Sequence, residues 1–136
     1  MTYVLTCSFC AALFLPNVES EKVHKGFCKI QEGDEVVIPL LWWQEMSALL
    51  SASVNKGQLK ALDVQEITGL LSAYHFVTDV SYGSNYMEKI LGISRLYGIS
   101  PADATYLELA LRKKGAMGAL NRELKEVCTR IGITLL

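Results

Sequence analysis

The chain has 136 residues, of which 51% are hydrophobic and 20% are charged, and its formal net charge is -1. This length predicts a single domain with a hydrophobic core of its own, and the composition excludes a disordered or low-complexity protein. A net charge so close to zero is not typical of a protein that holds nucleic acid mainly by electrostatic attraction.

The charge is unevenly distributed, because residues 1–86 carry a net charge of -4 and residues 87–136 a net charge of +3. The second part contains a group of basic side chains: Arg112, Lys113, Lys114, Arg122, Lys125 and Arg130. Two interpretations stay open for this group. It is either a surface that meets a phosphate backbone or a set of ordinary solvated helix faces.

Four cysteines, Cys7, Cys10, Cys28 and Cys128, lie among apolar neighbours. Because the chain is long enough to form a hydrophobic core, they need no disulfide to explain them. The apolar run over residues 4–15 has no Lys or Arg before it, is too short to span a bilayer and precedes no small-residue cleavage pattern. We therefore expect a cytoplasmic protein without membrane contact.

The first predicted element is a short buried strand over residues 3–5, which are apolar and include aromatic and β-branched types. From Ser8 onward the residues favour a helix, which Pro16 ends. A strand that passes into a helix almost without a loop is typical of the first half of a βαβ unit. The C-terminal end of such a strand is where parallel α/β sheets place their chemistry, so we expect functional side chains at residues 6–8.

Periodicity, glycines and prolines divide the rest of the chain into further helices and strands. Helices are predicted over residues 18–30, 40–55, 62–75, 84–97, 101–114 and 121–130, and strands over 35–38, 76–80, 116–120 and 133–136. The sheet strands are apolar throughout, as in strands that are covered on both sides. The prediction is therefore one α/β domain over residues 1–136, with a parallel four- to five-stranded sheet flanked by helices on both faces.

Glu45 is the acidic residue that the sequence singles out most clearly. On a helix its same-face neighbours, three and four residues away, are all apolar: Leu41, Trp42, Ala48 and Leu49. A carboxylate on an apolar face costs free energy unless it pairs with a cation or a metal. A functional role is thus one interpretation, and a side chain at the edge of the stripe that reaches solvent or a backbone amide is the other.

Asp103 and Asn121 each have a complete structural explanation. Asp103 is the third residue after Ser100, a predicted helix cap that is followed by proline, and an acid there favours the helix dipole. Asn121 fits the N-cap of the last helix. Neither residue predicts a ligand role by itself.

Other candidate motifs are weak. Cys7 and Cys10 form a CxxC at the start of a helix, where a thiol pKa is lowered, but no Gly-Pro separates them as in redox motifs. No second Cys or His pair supports a zinc site, and His24 and His75 are isolated. No glycine-rich phosphate loop and no Ser-His-Asp arrangement is present.

Four segments, in this order and at this spacing, carry a resemblance that covers nearly the whole chain. They are Val4-Leu5-Thr6-Cys7-Ser8 before an apolar helix that ends in Leu15-Pro16; Val37-Ile38-Pro39 before Glu45; Gly98-Ile99-Ser100-Pro101-Ala102-Asp103-Ala104-Thr105-Tyr106-Leu107-Glu108-Leu109-Ala110; and Met117-Gly118-Ala119-Leu120-Asn121. The set resembles PIN domains, notably the toxins of bacterial and archaeal toxin–antitoxin pairs. The third segment is similar to the family pattern Gly-Leu-Ser-x-x-Asp-Ala-x-Tyr-x-x-Leu-Ala.

The resemblance implies a ribonuclease in which acids at the C-terminal edge of the sheet hold Mg²⁺ or Mn²⁺, and the metal activates water. Glu45 and Asp103 match two of those acids. The first acid of the family falls on Thr6 and the late acid on Asn121, and Ser8 matches the small polar residue after the first acid. The hydroxyl residue usually found two before the late acid falls on Ala119.

Two hypotheses about activity follow. Because Thr6 and Asn121 offer only neutral oxygens, the first is a degenerate domain that binds metal weakly, has little or no nuclease activity and serves as a nucleic-acid- or protein-binding module. The second is an active endoribonuclease that uses Glu45 and Asp103 with a further acid such as Glu108.

Binding partners are predicted on two grounds. Trp42 and Trp43 are adjacent on a helix, so that one can face the core and the other solvent, where a tryptophan is a suitable interface anchor. The resemblance adds an antitoxin-like protein, RNA and a second copy of the chain in a homodimer as expected partners.

Overall fold

Four parallel strands form one sheet in the computed structural model, which describes all of residues 1–136. The strands are β1 (Thr2–Leu5), β2 (Glu35–Pro39), β3 (Val77–Asp79) and β4 (Ala116–Gly118), and they lie side by side in the order β3-β2-β1-β4. Every neighbouring pair is parallel. The predicted parallel sheet of an α/β domain is therefore confirmed.

Seven helices accompany the sheet: α1 (Cys7–Ala11), α2 (Ser20–Phe27), α3 (Leu40–Asn55), α4 (Ala61–Ala73), α5 (Ser84–Tyr97), α6 (Pro101–Lys113) and α7 (Arg122–Ile131). Helices cover both faces, because successive side chains on a strand point to opposite sides and both Val4 and Leu5 of β1 have no exposed surface. Val37 and Ile38 of β2 are buried in the same way.

Two predicted elements differ from the structure. The strand predicted over residues 133–136 forms only a single bridge, between Leu135 and Met117, since β4 is itself only three residues long and offers little ladder to extend. The first helix was predicted to continue to Pro16, but α1 ends at Ala11 and turns follow it. These turns are tighter than a helical turn and replace the helix ahead of Pro16.

The two central strands approach each other closely where they end. The Thr6 N–H donates to the Gly118 carbonyl at 2.9 Å. A Cβ placed on Gly118 would lie 2.6 Å from Leu5 Cδ2 and 3.2 Å from the Phe9 ring, so any larger residue would require the Leu5 side chain to shift. The ends of β1 and β4, with the starts of α1 and α7, are thereby held together at one edge of the sheet.

No helix in the structure combines the length and the apolar character that a crossing of the bilayer requires.

Candidate functional site

Thr6 stands at the C-terminal end of β1, where the resemblance expects an acid, and it acts as a helix cap. Its side chain is buried, and its Oγ1 accepts a hydrogen bond from the Phe9 N–H at 3.3 Å at the start of α1. The exposed Ser8 hydroxyl lies 3.3 Å from Thr6 Oγ1. Two neutral hydroxyl groups therefore occupy this position.

Glu45 is half-buried on α3 and is bound by a phenol. The Tyr106 hydroxyl donates to Glu45 Oε1 at 2.5 Å and accepts from the Cys7 N–H at 3.3 Å. Burial, and then the hydrogen bond to Glu45, raises the pKa of Tyr106 well above its usual range, so the phenol remains protonated and able to donate. Tyr106 thus links α3 and α6 to the start of α1.

Asp103 is paired with Asn121. The Asn121 Nδ2 donates to Asp103 Oδ2 at 2.7 Å, while Asn121 Oδ1 accepts from the Glu123 and Leu124 N–H groups at 2.9 and 3.4 Å. Asp103 also lies in the first turn of α6, where its own N–H donates to Ser100 Oγ at 3.1 Å. Both predicted caps are confirmed, and the amide–carboxylate hydrogen bond joins the starts of α6 and α7.

The pKa of Asp103 is raised above its ordinary value. Partial burial is the main cause, the negative charge of Glu123 adds to it, and the Ser100 hydroxyl opposes it. The neighbourhood of Asp103 therefore supplies a neutral amide and a second acid, and no cationic side chain forms an ion pair with it.

The five residues singled out from the sequence form two clusters at the same sheet edge. Asp103 meets Asn121 directly, and Thr6 meets Ser8 directly. Glu45 reaches the β1 end only through Tyr106, which lies one turn after Asp103 on α6. Glu45 and Asp103 share no hydrogen bond, and their predicted roles in chemistry stay predictions.

Tyr106 was not recognised as a site residue from the sequence. Two signals were available for it: a tyrosine stands at this position in the family pattern quoted for the third segment, and its spacing of three residues from Asp103 places both on one helix face.

Glu108 is not available as a further site acid, contrary to the second hypothesis. Its side chain is only 2% exposed and accepts from Arg112 Nε at 2.8 Å and from Lys89 Nζ at 3.0 Å. Arg112 also forms a bidentate pair with Asp79 at 2.8 Å. The fold thus uses Glu108 to join α5, α6 and the end of β3.

The acidic side chains at this edge do not gather into one cluster. The structure contains no group of three or more His, Cys, Asp or Glu side chains that could hold a metal ion. Mg²⁺ and Mn²⁺ take several oxygen ligands, and one oxygen of Glu45 and one of Asp103 already accept from a protein donor, the Tyr106 hydroxyl and the Asn121 amide. Thr6 and Asn121 bring no charge to offset a cation.

The CxxC pair does not form a reactive thiol site. Cys7 and Cys10 are free and buried. Burial, with a contribution from the charge of Glu45, raises the pKa of Cys7 to about 12, and burial raises that of Cys10 as well. Thiols that stay protonated at neutral pH are poor nucleophiles and poor metal ligands.

A cleft of about 350 Å³ lies beside the site, between α1 and α3. Small and apolar side chains form much of its lining, including Ala11, Ala12, Ala52 and Leu49, and Ser8 lies at its border with the site. Elsewhere on α3, Trp42 is fully buried and Trp43 is 38% exposed, as expected of adjacent residues on a helix.

Several solved structures resemble this one over most of the chain. PAE2754 from Pyrobaculum aerophilum superposes with a TM-score of 0.69 and 18% sequence identity, over 99% of this chain and 92% of that one. VapBC2 from Rickettsia felis, crystallised with a DNA fragment from its promoter, gives 0.64 and 14% over 100% and 98% of the two chains. The fold is PIN-like.

A toxin–antitoxin complex from Klebsiella pneumoniae shares this PIN-like fold with a TM-score of 0.56 and 14% identity, over 88% of this chain and 86% of that one. No protein-family model matches the sequence, and no curated protein matches it. At such low identities the likeness to solved structures establishes the fold, and function has to be argued from the site.

Proposed function

We propose that this PIN-like domain is a binding protein of the toxin–antitoxin type whose acidic site does not support metal-dependent cleavage of RNA. The observation that carries the proposal is the hydrogen bond of 2.7 Å from the Asn121 amide to Asp103. A neutral donor is thus already bound to one oxygen of this carboxylate. The Tyr106 hydroxyl does the same at Glu45.

The loss of charge argues against efficient hydrolysis. A divalent cation lowers the pKa of bound water and offsets the charge that develops on the phosphate, and both effects need it to be firmly held. Changing a residue that merely supports a metal ligand costs about 10–100-fold in affinity or activity. Replacing two charged ligands by Thr6 and Asn121 is expected to cost more.

Protein binding is favoured over RNA binding because part of the basic surface is neutralised. Arg112 is paired with Asp79 and Glu108, and Arg122 with Glu126 at 3.0 Å. The cleft between α1 and α3, by contrast, offers small and apolar side chains next to the site. We propose an antitoxin-like protein as the partner, in line with the toxin–antitoxin complex among the similar structures.

Two other partners would bind at other surfaces of the protein, and each has its own test. The exposed Trp43 would serve equally in a homodimer, which light scattering of the purified protein detects as a doubled mass. RNA binding through the basic residues of the second part of the chain would appear as a salt-dependent affinity for a labelled RNA oligomer.

The decisive experiment is a ribonuclease assay with Mg²⁺ and with Mn²⁺ on the wild-type protein and on Glu45→Ala and Asp103→Ala. We expect no cleavage above that of a buffer blank in any of the three. Cleavage by the wild type that disappears in both variants would overturn the proposal. The double variant Thr6→Asp/Asn121→Asp tests the converse, because it returns two charges to the site and is expected to raise metal affinity.

An active Mg²⁺- or Mn²⁺-dependent endoribonuclease that uses Glu45 and Asp103 is the second candidate. It is favoured by one observation, that Tyr106 binds Glu45 from the helix that carries Asp103, so both acids lie at the same sheet edge. Its metal would be bound weakly by these two carboxylates. Titration with millimolar Mn²⁺ monitored by electron paramagnetic resonance tests it, and an unchanged free-ion signal would count against it.

A further inference from the structure

The orientation of the Asn121 side chain is fixed from two directions. At the start of α7, the backbone N–H groups of Glu123 and Leu124 donate hydrogen bonds to the Asn121 side chain. Only its amide oxygen can accept them. The amide nitrogen therefore points away from α7, and Asp103 Oδ2 lies in its path at 2.7 Å. One side chain thus caps one helix and compensates a carboxylate on another.

Asp103 depends on this amide more than an exposed acid would. Asp103 is partly buried, and Glu123 adds a like charge from the first turn of α7. A partly desolvated carboxylate next to another acid needs a compensating group. The Asn121 amide provides the positive end of a dipole at Asp103 Oδ2.

We infer that Asn121 is a positioning residue that takes the place of a divalent cation at Asp103, so that the starts of α6 and α7 are joined without metal. This inference rests on the proposed absence of a working metal centre, and it adds which residue makes the edge independent of metal. Asn121→Asp is the informative change, because aspartate has nearly the same shape and keeps an oxygen for the helix cap. It replaces the N–H donor by a second carboxylate oxygen, adds a negative charge and sets two carboxylates in contact.

The consequence is a dependence on cations that the wild type lacks. Two carboxylates within hydrogen-bonding distance repel each other, and they bind a hard divalent cation through oxygen. A ligand that binds the folded state alone raises its stability by mass action. The variant should thus be weakened in a chelator and recover when a divalent ion is supplied.

The test is the midpoint of thermal unfolding at pH 7.5, in EDTA and in 5 mM MnCl₂, for four proteins. Wild type is expected to show the same midpoint in both. For Asn121→Asp we expect a lower midpoint in EDTA and a rise of roughly 3–6 °C in Mn²⁺. Asn121→Ser keeps a cap oxygen without adding charge, so it should lie below wild type in both buffers and show no rise.

The fourth protein exchanges the pair. Asp103→Asn/Asn121→Asp has the charge of the wild type and can rebuild the hydrogen bond in the opposite direction, so we expect a midpoint near that of the wild type and no response to Mn²⁺. This protein keeps the inference testable if Asn121→Asp alone does not fold. An exchanged pair that is as weak as Asn121→Ser would show that the hydrogen bond is not the reason for stability.

Two further outcomes would overturn the inference. One is a Mn²⁺-dependent rise in the wild type equal to that of Asn121→Asp, and the other is an Asn121→Asp midpoint that does not respond to Mn²⁺. Both can be told apart from failure of the proposed function. RNA cleavage by the wild type would refute the binding role, whereas a stability response to Mn²⁺ without cleavage would refute only the role given to Asn121.

Discussion

Glu108 illustrates, at the scale of single residues, how this fold handles a buried charge. Burial disfavours its ionised form, but hydrogen bonds and charges from Arg112 and Lys89 outweigh that cost, and the net pKa lies below its ordinary value. The pKa of Asp79 is lowered as well, chiefly by the hydrogen bond that its carboxylate accepts from Arg112. Groups with a lowered pKa in the folded state stabilise it once the pH exceeds their unfolded pKa, and this stability is lost as the pH falls.

The first prediction concerns acid. The free energy of unfolding of the wild type should fall as the pH is lowered from about 5 to about 3, the range in which carboxylates take up protons. Glu108→Gln should be less stable than wild type at pH 7 by about 1–3 kcal/mol, because Lys89 and Arg112 lose a charged partner. It should also depend less steeply on pH.

Urea unfolding at a series of pH values measures both effects. Glu66→Gln is the control, since Glu66 is exposed on α4 and its replacement should leave the curve unchanged. A Glu108→Gln curve parallel to that of the wild type would contradict the prediction.

The second prediction concerns Tyr106→Phe. The change deletes the donor to Glu45 and the acceptor for the Cys7 N–H, and a buried amide left without a partner costs about 1–3 kcal/mol. Urea unfolding should show this loss. Tyr82→Phe removes a hydroxyl from a side chain that is 82% exposed, so it should have no effect. Equal stability of the two variants would mean that the Tyr106 hydroxyl stabilises nothing.

The residues of the site were only in part predictable. The resemblance singled out Glu45, Asp103 and both substituted positions, whose roles stay predictions, and the caps followed from local spacing. The contacts that decide their chemistry did not follow, because Tyr106 and Glu45 are 61 residues apart and Asn121 and Asp103 are 18 apart. Such bonds form only after α6 has docked on α3 and α7, which local pattern does not encode.

At the scale of elements, the close packing of β4 against β1 relies on the lack of a side chain at Gly118. Gly118 lies against Leu5 and the Phe9 ring, where a methyl group would approach one carbon to 2.6 Å. Gly118→Ala is therefore expected to destabilise the protein by about 1–3 kcal/mol in chemical unfolding.

Gly92→Ala is the matched control, since a Cβ there has nothing within 4 Å and the residue lies inside α5. It should instead stabilise the protein by about 0.5–1 kcal/mol through helix propensity. A Gly118→Ala protein as stable as wild type would mean that β1 and β4 can separate at little cost.

The elements themselves were largely predictable, with a physical reason for each difference. Helices α3, α5 and α6 begin where the sequence predicts, and α6 has the predicted Ser100 cap. The predicted strand over residues 133–136 was wrong, because the length of a strand depends on the partner that is available. The predicted length of α1 was wrong as well, because tighter turns replace the helix after Ala11, as the bonds from the Leu13 N–H to the Cys10 carbonyl and from the Phe14 N–H to the Ala11 carbonyl show.

At the scale of the whole molecule, stability should be graded from the centre of the sheet outward. Val4 of β1 pairs with β2 on one side and with β4 on the other and has no exposed surface. α4 buries only Ile67 and Leu71. Elements with few buried contacts open more easily than the centre of a core.

Hydrogen exchange measured by mass spectrometry tests this gradient. Peptides that cover β1 should exchange only through global unfolding, and peptides that cover α4 should exchange faster by at least about tenfold, which corresponds to 1.4 kcal/mol in opening free energy. Uniform protection across the two elements would mean that the domain opens as one unit.

One helix joins the chemistry of the sheet edge to the rest of the protein. Along α6, Asp103 holds the start of α7, Tyr106 holds α3, Glu108 holds α5 and Arg112 holds the end of β3. A turn of this helix about its own axis would strain all four contacts together. A partner that displaced Asp103 or Glu45 would therefore have to rotate α6 against contacts along its whole length. Binding at the sheet edge would then change the rigidity of the entire domain.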